Sequence, residues 1–166
     1  MSEAVIGLGS NQGDKNAQLL TAVQAISHLP SVKLTGISSI YESPAEDASE
    51  GGGEIYHNMA VKLETEMSPL ALLGACLGIE AAMGRVRTVR NAARGIDLDV
   101  LLYEGVKSES FELSLPHPRL LKRAFVLLPL KELYPSGRAP GIFFEPYLKE
   151  LDVSAVVKSE RQIAQN

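Results

Sequence analysis

Two aspartates one residue apart, Asp97 and Asp99, follow a segment that carries four arginines, Arg85, Arg87, Arg90 and Arg94. The arginines stop where Ile96, Leu98, Val100 and Leu102 begin a strict alternation, so the segment reads as a cationic loop feeding a strand. Alternate side chains of a strand share a face. The two carboxylates are therefore expected side by side, roughly 6–7 Å apart, with the four aliphatics on the opposite face. Paired carboxylates repel, and either a loop guanidinium or a pair of divalent cations would compensate them. Hard oxygen ligands beside guanidinium groups fit a magnesium-bound polyphosphate, the carboxylates holding metal and the arginines taking phosphate oxygens.

Other residues could add to such a site. Glu80 lies off the apolar stripe of its helix, near the end that meets Arg85, where it can orient an arginine, bind ligand or simply be solvated. Tyr56 and Asn58 share a strand face opposite Met59, Val61 and Leu63, and an aromatic ring beside an amide suits a flat, hydrogen-bonding ligand. His117 is held between Pro116 and Pro118, ahead of Lys122, Arg123 and Phe125, on a backbone restricted enough to aim the ring. His28 and His57 read as structural, and Cys76 as a core thiol. The turn after Gly9 lacks the lysine and spacing of a phosphate loop, and the dinucleotide glycine pattern is missing too, so it reads as a plain tight turn.

The elements that must position these groups follow in order. Residues 4–9 form a short apolar strand, and Asp14 caps a helix in which Leu19, Val23 and Ile26 recur on one face. Residues 32–41 alternate as a second strand, then Ser43-Pro44 opens a polar tract with three consecutive glycines, Gly51, Gly52 and Gly53, a surface excursion or a mobile cover. Residues 56–64 make a third strand. Ser68 and Pro69 start a helix whose buried stripe is Leu72, Cys76, Ile79 and Met83, and Gly84 stops it. After the acidic strand, Glu104-Gly105 turns the chain and residues 112–115 add a last strand. A helix is expected over 126–133 with Pro129 in its first turn, then loop over 135–146, and a polar tail that frays from Ser154. The order strand, helix, strand, strand, helix, strand predicts an α+β fold, a ferredoxin-like βαββαβ sandwich with a mainly antiparallel sheet, helices packed on it and C-terminal additions.

Composition narrows the function classes. The chain has 166 residues, suited to a single domain over 1–166, and a net charge of -4 with pI about 5.4, so no global basic field is present to hold nucleic acid. Its single cysteine rules out an internal disulfide and suits a reducing compartment. No apolar run is long enough to span a membrane and no leader is legible, so a cytoplasmic protein with no membrane partner is expected.

The stretch Arg90-Asn91-Ala92-Ala93-Arg94-Gly95-Ile96-Asp97-Leu98-Asp99-Val100-Leu101 resembles the signature of a known family, 6-hydroxymethyl-7,8-dihydropterin pyrophosphokinase of folate biosynthesis. Supporting matches are Gly9-Ser10-Asn11, Tyr41 through Pro44, Tyr56 with Asn58, Gly84-Arg85-Val86-Arg87, Pro116-His117 and Arg123-Ala124-Phe125. The resemblance covers residues 4 to 134. It implies transfer of the β,γ-pyrophosphoryl unit of ATP to the hydroxymethyl group of the pterin, leaving AMP. Asp97 and Asp99 would hold two Mg2+ ions. Arg85, Arg94, His117 and Arg123 would neutralise the pyrophosphate and position the nucleotide, with Glu80 and Arg87 in the same pocket and Arg85 and Arg94 counted with the aspartates as catalytic. Asn58 would read the pterin edge, Tyr56 and Phe125 would enclose its ring, and Ser43, Pro44 and Ala45 would supply backbone contacts. A monomer is implied. The resemblance departs from the family in the arginine loop, where Asn91 stands near the place of a tryptophan and the chain has none, and in the glycines at 51–53.

Two rivals use the same residues. A nucleotidyltransferase also combines a Gly-Ser turn with paired aspartates, but those motifs lie close in sequence, whereas Ser10 and Asp97 are almost the whole fold apart; it would release pyrophosphate where the kinase releases AMP. A noncatalytic ferredoxin-like module binding RNA or a partner would want stacking aromatics and a basic surface, and the sequence offers neither clearly.

Overall fold

β1 (Ser2–Ser10) is the strand on which the sheet is built, and its alternation already divides the protein into two faces. Ala4, Ile6 and Leu8 point one way and Val5, Gly7 and Gly9 the other. The computed structural model describes residues 1–45, 54–84 and 95–163. The arginine loop and the glycines at 51–53, with the surface excursion or mobile cover expected there, lie outside the described residues.

β4 (Ile55–Thr65) pairs antiparallel with β1 along its whole length, from Ser2 against Thr65 to Ser10 against His57. β5 (Asp97–Tyr103) pairs antiparallel on the other side of β1. The outer side of β4 carries two strands end to end, β2 (Val32–Ile37) against residues 61–65 and β3 (Tyr41–Pro44) against 55–58. Two helices, α1 (Lys15–Ser27) and α2 (Pro69–Ala82), cover the Ala4 face with Leu19, Val23, Ile26, Leu72, Cys76 and Ile79. On the opposite face α3 (Ala124–Leu133) packs Leu127 and Leu130 against Val5, Ala60, Leu101 and Leu102. The expected α+β order and antiparallel sheet are both present.

The helix boundaries follow from local chemistry. The Asp14 side chain accepts from the Ala17 N–H and the Ser68 side chain from the Ala71 N–H, each satisfying a donor that the first turn leaves unpaired. α2 ends at Gly84, where φ is +91°, a conformation that costs glycine little.

Several expectations need correction. The second strand is not continuous over 32–41. Thr35 is an extra residue in its pairing with β4, and residues 38–40 leave the ladder. Ser38 bridges the gap: its N–H donates to the Ala60 carbonyl, and its hydroxyl accepts from the Ala60 N–H at 2.9 Å, in place of a strand carbonyl. β5 has its own bulge, since Val5 faces Leu102 and Ile6 faces Val100, so Leu101 is inserted and Leu102 turns to the α3 face. Leu102 therefore does not continue the face of Leu98 and Val100. α3 begins at Ala124, which puts Pro129 inside the helix and not in its first turn; Pro129 is buried against the sheet. Residues 135–146 are not all loop, because β8 (Arg138–Ala139) and β9 (Ile142–Phe143) make a small hairpin and α4 (Glu145–Glu150) follows. The expected last strand shortens to β7 (Ser114–Leu115), paired with β6 (Ser108–Glu109). The tail does not fray at Ser154: β10 (Val157–Lys158) adds to the outer edge of β3.

Ser38→Ala should leave the buried Ala60 N–H without its acceptor, and the expected loss is about 1–3 kcal/mol of folding stability. Urea unfolding should show a lower midpoint with an unchanged slope.

Candidate active site

The α3 face of the sheet is floored by glycine at its centre. Gly9 lies between Asn58 of β4 and Asp97 of β5, and Gly7 between Ala60 and Asp99. Cross-strand partners share a face, so Asn58 and Asp97 stand on opposite banks of a strip with no side chain in its middle. Two strand spacings put the banks roughly 10 Å apart. A Cβ on Gly9 would stand 3.1 Å from Asn58 Oδ1, and one on Gly7 would stand 3.1 Å from Leu101. These glycines escaped the sequence reading as site residues. The available signal was glycine at alternate positions of an apolar strand, which marks close approach of a ligand or backbone.

One bank is polar and preorganised. Asn58 is buried, and its Nδ2 donates to Ser43 Oγ on β3 at 2.8 Å. Tyr56 lies on the same face, opposite Ser43, and its hydroxyl accepts from Asn11 Nδ2 at 3.2 Å. Pro44 ends β3 and Ala45 is the last described residue before 54. Ser43, Tyr56 and Asn58 thus stand together on one sheet face, with Pro44 at the end of β3. His57 points to the opposite face and bridges Asn16 Oδ1 at 2.7 Å and Glu42 at 3.1 Å, which agrees with a structural reading.

The other bank is acidic. The outer edge of β5 is covered by Glu80 of α2, a buried residue whose Oε1 accepts from the Leu98 N–H at 2.9 Å. Glu80 is therefore not solvated; it ties α2 to the strand between the two aspartates. The Asp99 carboxyl is raised above the ordinary carboxylate range, first by the crowding of protein around it and then by Asp97 and Glu80, while His117 and Arg123 pull it down. Asp99 is nevertheless exposed to solvent in the strand. Burial pushes the Cys76 thiol up to about 12, and Glu80 and Asp99 add to the shift, so Cys76 is an inert core group, as expected.

His117 and Arg123 come from the segment before α3. The Leu115-Pro116 peptide is cis, and the His117 N–H donates to the Leu101 carbonyl at 2.9 Å, fastening the corner to the bulge of β5. His117 Nδ1 accepts from the Arg119 N–H at 3.3 Å, which leaves the ring proton on Nε2. Burial lowers the pKa of His117, Asp99 opposes that shift, and Arg123 and Arg119 reinforce it. The Arg123 guanidinium lies 5.5 Å from the centre of the Phe125 ring. Arg85, Arg87 and Arg94 lie outside the described residues.

Ser10 fixes where the acidic strand starts. Its buried hydroxyl donates to the Gly95 carbonyl at 2.5 Å, joining the end of β1 to the residue that leads into β5. Among the described residues no group of three or more histidine, cysteine or acidic side chains is placed to hold a metal. Two carboxylates alone make the donor set of a Mg2+ ion whose remaining ligands are waters and substrate phosphates.

Comparison with known proteins agrees with this geometry. The family described as 7,8-dihydro-6-hydroxymethylpterin-pyrophosphokinase (HPPK) matches residues 5–135. A 2-amino-4-hydroxy-6-hydroxymethyldihydropteridine pyrophosphokinase of Methylorubrum extorquens is 41% identical over 160 residues, covering 96% of this chain and 100% of the relative. The enzyme of the same name from Bacillus subtilis is 41% identical over 133 residues, 78% of this chain and 77% of the relative. Among solved structures, a wild-type Plasmodium falciparum HPPK-DHPS chain superposes with a TM-score of 0.65 at 15% identity. That superposition covers 90% of this chain and 43% of the solved one, so the chain spans less than half the length of that protein.

Glu80→Ala should strand the buried Leu98 N–H and cost about 1–3 kcal/mol of stability. Thermal unfolding should register it as a drop of roughly 2–4 °C per kcal/mol for a chain of this size.

Proposed function

The chain belongs to the 7,8-dihydro-6-hydroxymethylpterin-pyrophosphokinase family, and from that premise we propose how its own residues divide the work between the two banks of the glycine strip. The reaction is ATP-dependent pyrophosphoryl transfer to 6-hydroxymethyl-7,8-dihydropterin in folate biosynthesis. The hydroxymethyl oxygen bonds to the β-phosphorus of ATP, the bond from that phosphorus to the α,β-bridging oxygen breaks, and the hydroxyl proton is lost. AMP departs.

The pterin lies against the Asn58 bank. Asn58, fixed by Ser43, reads the polar edge of the ring, Tyr56 and Phe125 enclose its faces, and backbone at Ser43, Pro44 and Ala45 completes the contacts. The glycine strip lets a flat ring lie on the sheet with its hydroxymethyl arm pointing across Gly9 toward Asp97. This is the observation that carries the reading: between Asn58 and Asp97 the floor at Gly9 carries no side chain, as a substrate bridging the two requires.

The triphosphate lies against the acidic bank. Asp97 and Asp99 would hold two Mg2+ ions, which when bound would supply positive charge to neutralise phosphate oxygens in the transition state. The carboxylates fit that task as paired hard oxygen donors on one strand face, where the surrounding protein, then Asp97 and Glu80, oppose the ionisation of Asp99. His117 presents Nε2–H to a phosphate oxygen, since its Nδ1 is engaged by Arg119. Arg123 adds a guanidinium at the mouth of α3, and Arg85, Arg87 and Arg94 complete the phosphate contacts by resemblance to the family. Glu80 shares the pocket through its hold on β5. Catalysis is by position and charge, with no covalent enzyme intermediate.

We propose further that the chain works as a single pyrophosphokinase domain, a monomer in the cytoplasm. No helix among the described residues is long and apolar enough to cross a membrane.

Asp97→Asn and Asp99→Asn should each remove most turnover while leaving the fold intact, because an amide is a poor Mg2+ ligand. AMP release at saturating magnesium is the measurement, and a near-normal rate in either variant would remove the metal assignment. Gly9→Val should fill the strip and crowd Asn58. Overpacking of this kind costs about 1–3 kcal/mol, so pterin affinity by calorimetry should fall about tenfold or more while ATP affinity changes little. Equal loss of both ligands would place the pterin elsewhere.

A further inference from the structure

The family match ends at residue 135, and the protein beyond it returns to the pterin bank. β10 pairs antiparallel with β3, Val157 against Glu42 and Lys158 against Tyr41. Directly after it the chain closes on Ile40, the residue that precedes β3. The Ser159 N–H donates to the Ile40 carbonyl at 2.8 Å. Gln162 then holds both polar groups of the same residue, its Oε1 accepting from the Ile40 N–H at 2.5 Å and its Nε2 donating to the Ile40 carbonyl at 3.2 Å and the Ser159 carbonyl at 2.5 Å. One side-chain amide thus stands in for a strand partner at the place where β2 and β3 part. Ile163 packs against the helix-side core, where Ile40 is fully buried.

A second set of contacts ties this strap to the far wall of the site. Glu132 of α3 accepts from the Tyr41 hydroxyl at 2.5 Å and from the Ser39 N–H at 2.6 Å, and pairs with Lys158 of β10 at 3.6 Å. β3 carries Ser43, the partner of Asn58, and α3 begins beside Phe125. The strap therefore fixes β3 from outside and joins it to the helix that supplies the opposing ring.

We propose that residues 157–162 form a positioning strap for the pterin subsite, with Gln162 as its clasp. The strap touches no substrate. It keeps Ser43 in register with Asn58, so that the amide meets the ring already oriented. This rests on the assignment of Ser43 and Asn58 to the pterin, and the test separates the two.

The experiment compares KM for the reduced pterin and for ATP, with kcat, in full-length wild type, Gln162→Leu, Ser159→Pro and Asn58→Ala, alongside unfolding midpoints. Gln162→Leu removes the amide at similar size, and Ser159→Pro removes the N–H given to Ile40. Both strap variants should raise the pterin KM by roughly three- to tenfold and leave the ATP KM and kcat within about twofold. If Asn58→Ala raises the pterin KM and the strap variants do not, the strap is overturned and the subsite stands. The strap is likewise overturned if its variants change only the unfolding midpoint, or both KM values alike. An unchanged pterin KM in Asn58→Ala would overturn the subsite assignment, and the strap proposal with it.

Discussion

Negative charge on the first half of β5 is the constraint around which the rest is arranged. Asp97 and Glu80 stand close enough that each opposes the ionisation of Asp99, and the protein around them opposes it further. A fold that only had to be stable would not gather three acids there. Glu80 is accommodated by giving its carboxylate a backbone N–H to accept, which also covers an exposed strand edge. The two aspartates lie on the α3 face, beside Gly7 and Gly9.

This arrangement works because the two faces of the sheet have different duties. The face under α1 and α2 is filled with aliphatics and carries the larger core. The α3 face is packed where Val5, Ala60, Leu101 and Leu102 meet α3, with Leu101 lying over Gly7, and β1 carries no side chain at Gly9 between Asn58 and Asp97. β1 serves both faces by alternation, with Ala4, Ile6 and Leu8 toward α1 and α2 and Val5, Gly7 and Gly9 toward the α3 side. The Leu101 bulge and the His117 N–H bonded to it hold the histidine corner over the acidic bank.

Much of this is legible from sequence because it depends on neighbours along the chain. Asp14 and Ser68 cap their helices as their types require, the stripe Leu72, Cys76 and Ile79 is buried at its helical period, and the aspartates share a face because strands alternate. What escapes depends on partners distant in sequence. The bulges at Thr35 and Leu101 exist only in relation to the strands opposite them. The tail reads as polar and free because β10 is held through its backbone and through Gln162, neither of which leaves an apolar pattern. Pro129 falls deeper in its helix than its sequence suggests because α3 starts at Ala124 with no side-chain cap to announce it.

The bulge at Leu101 has a genetic consequence. Within a strand, insertion or deletion of one codon inverts every side chain on one side of the change. Upstream of Leu101 such an event would turn the aspartates into the aliphatic core and bring Leu98 to the α3 face. At the bulge itself the pairing already contains an unmatched residue, so loss of Leu101 would restore simple alternation downstream and leave Asp97 and Asp99 where they are. Two neighbouring stretches of one short strand should therefore differ sharply in the length changes they tolerate, the acidic half being intolerant and the half beyond the bulge the more permissive.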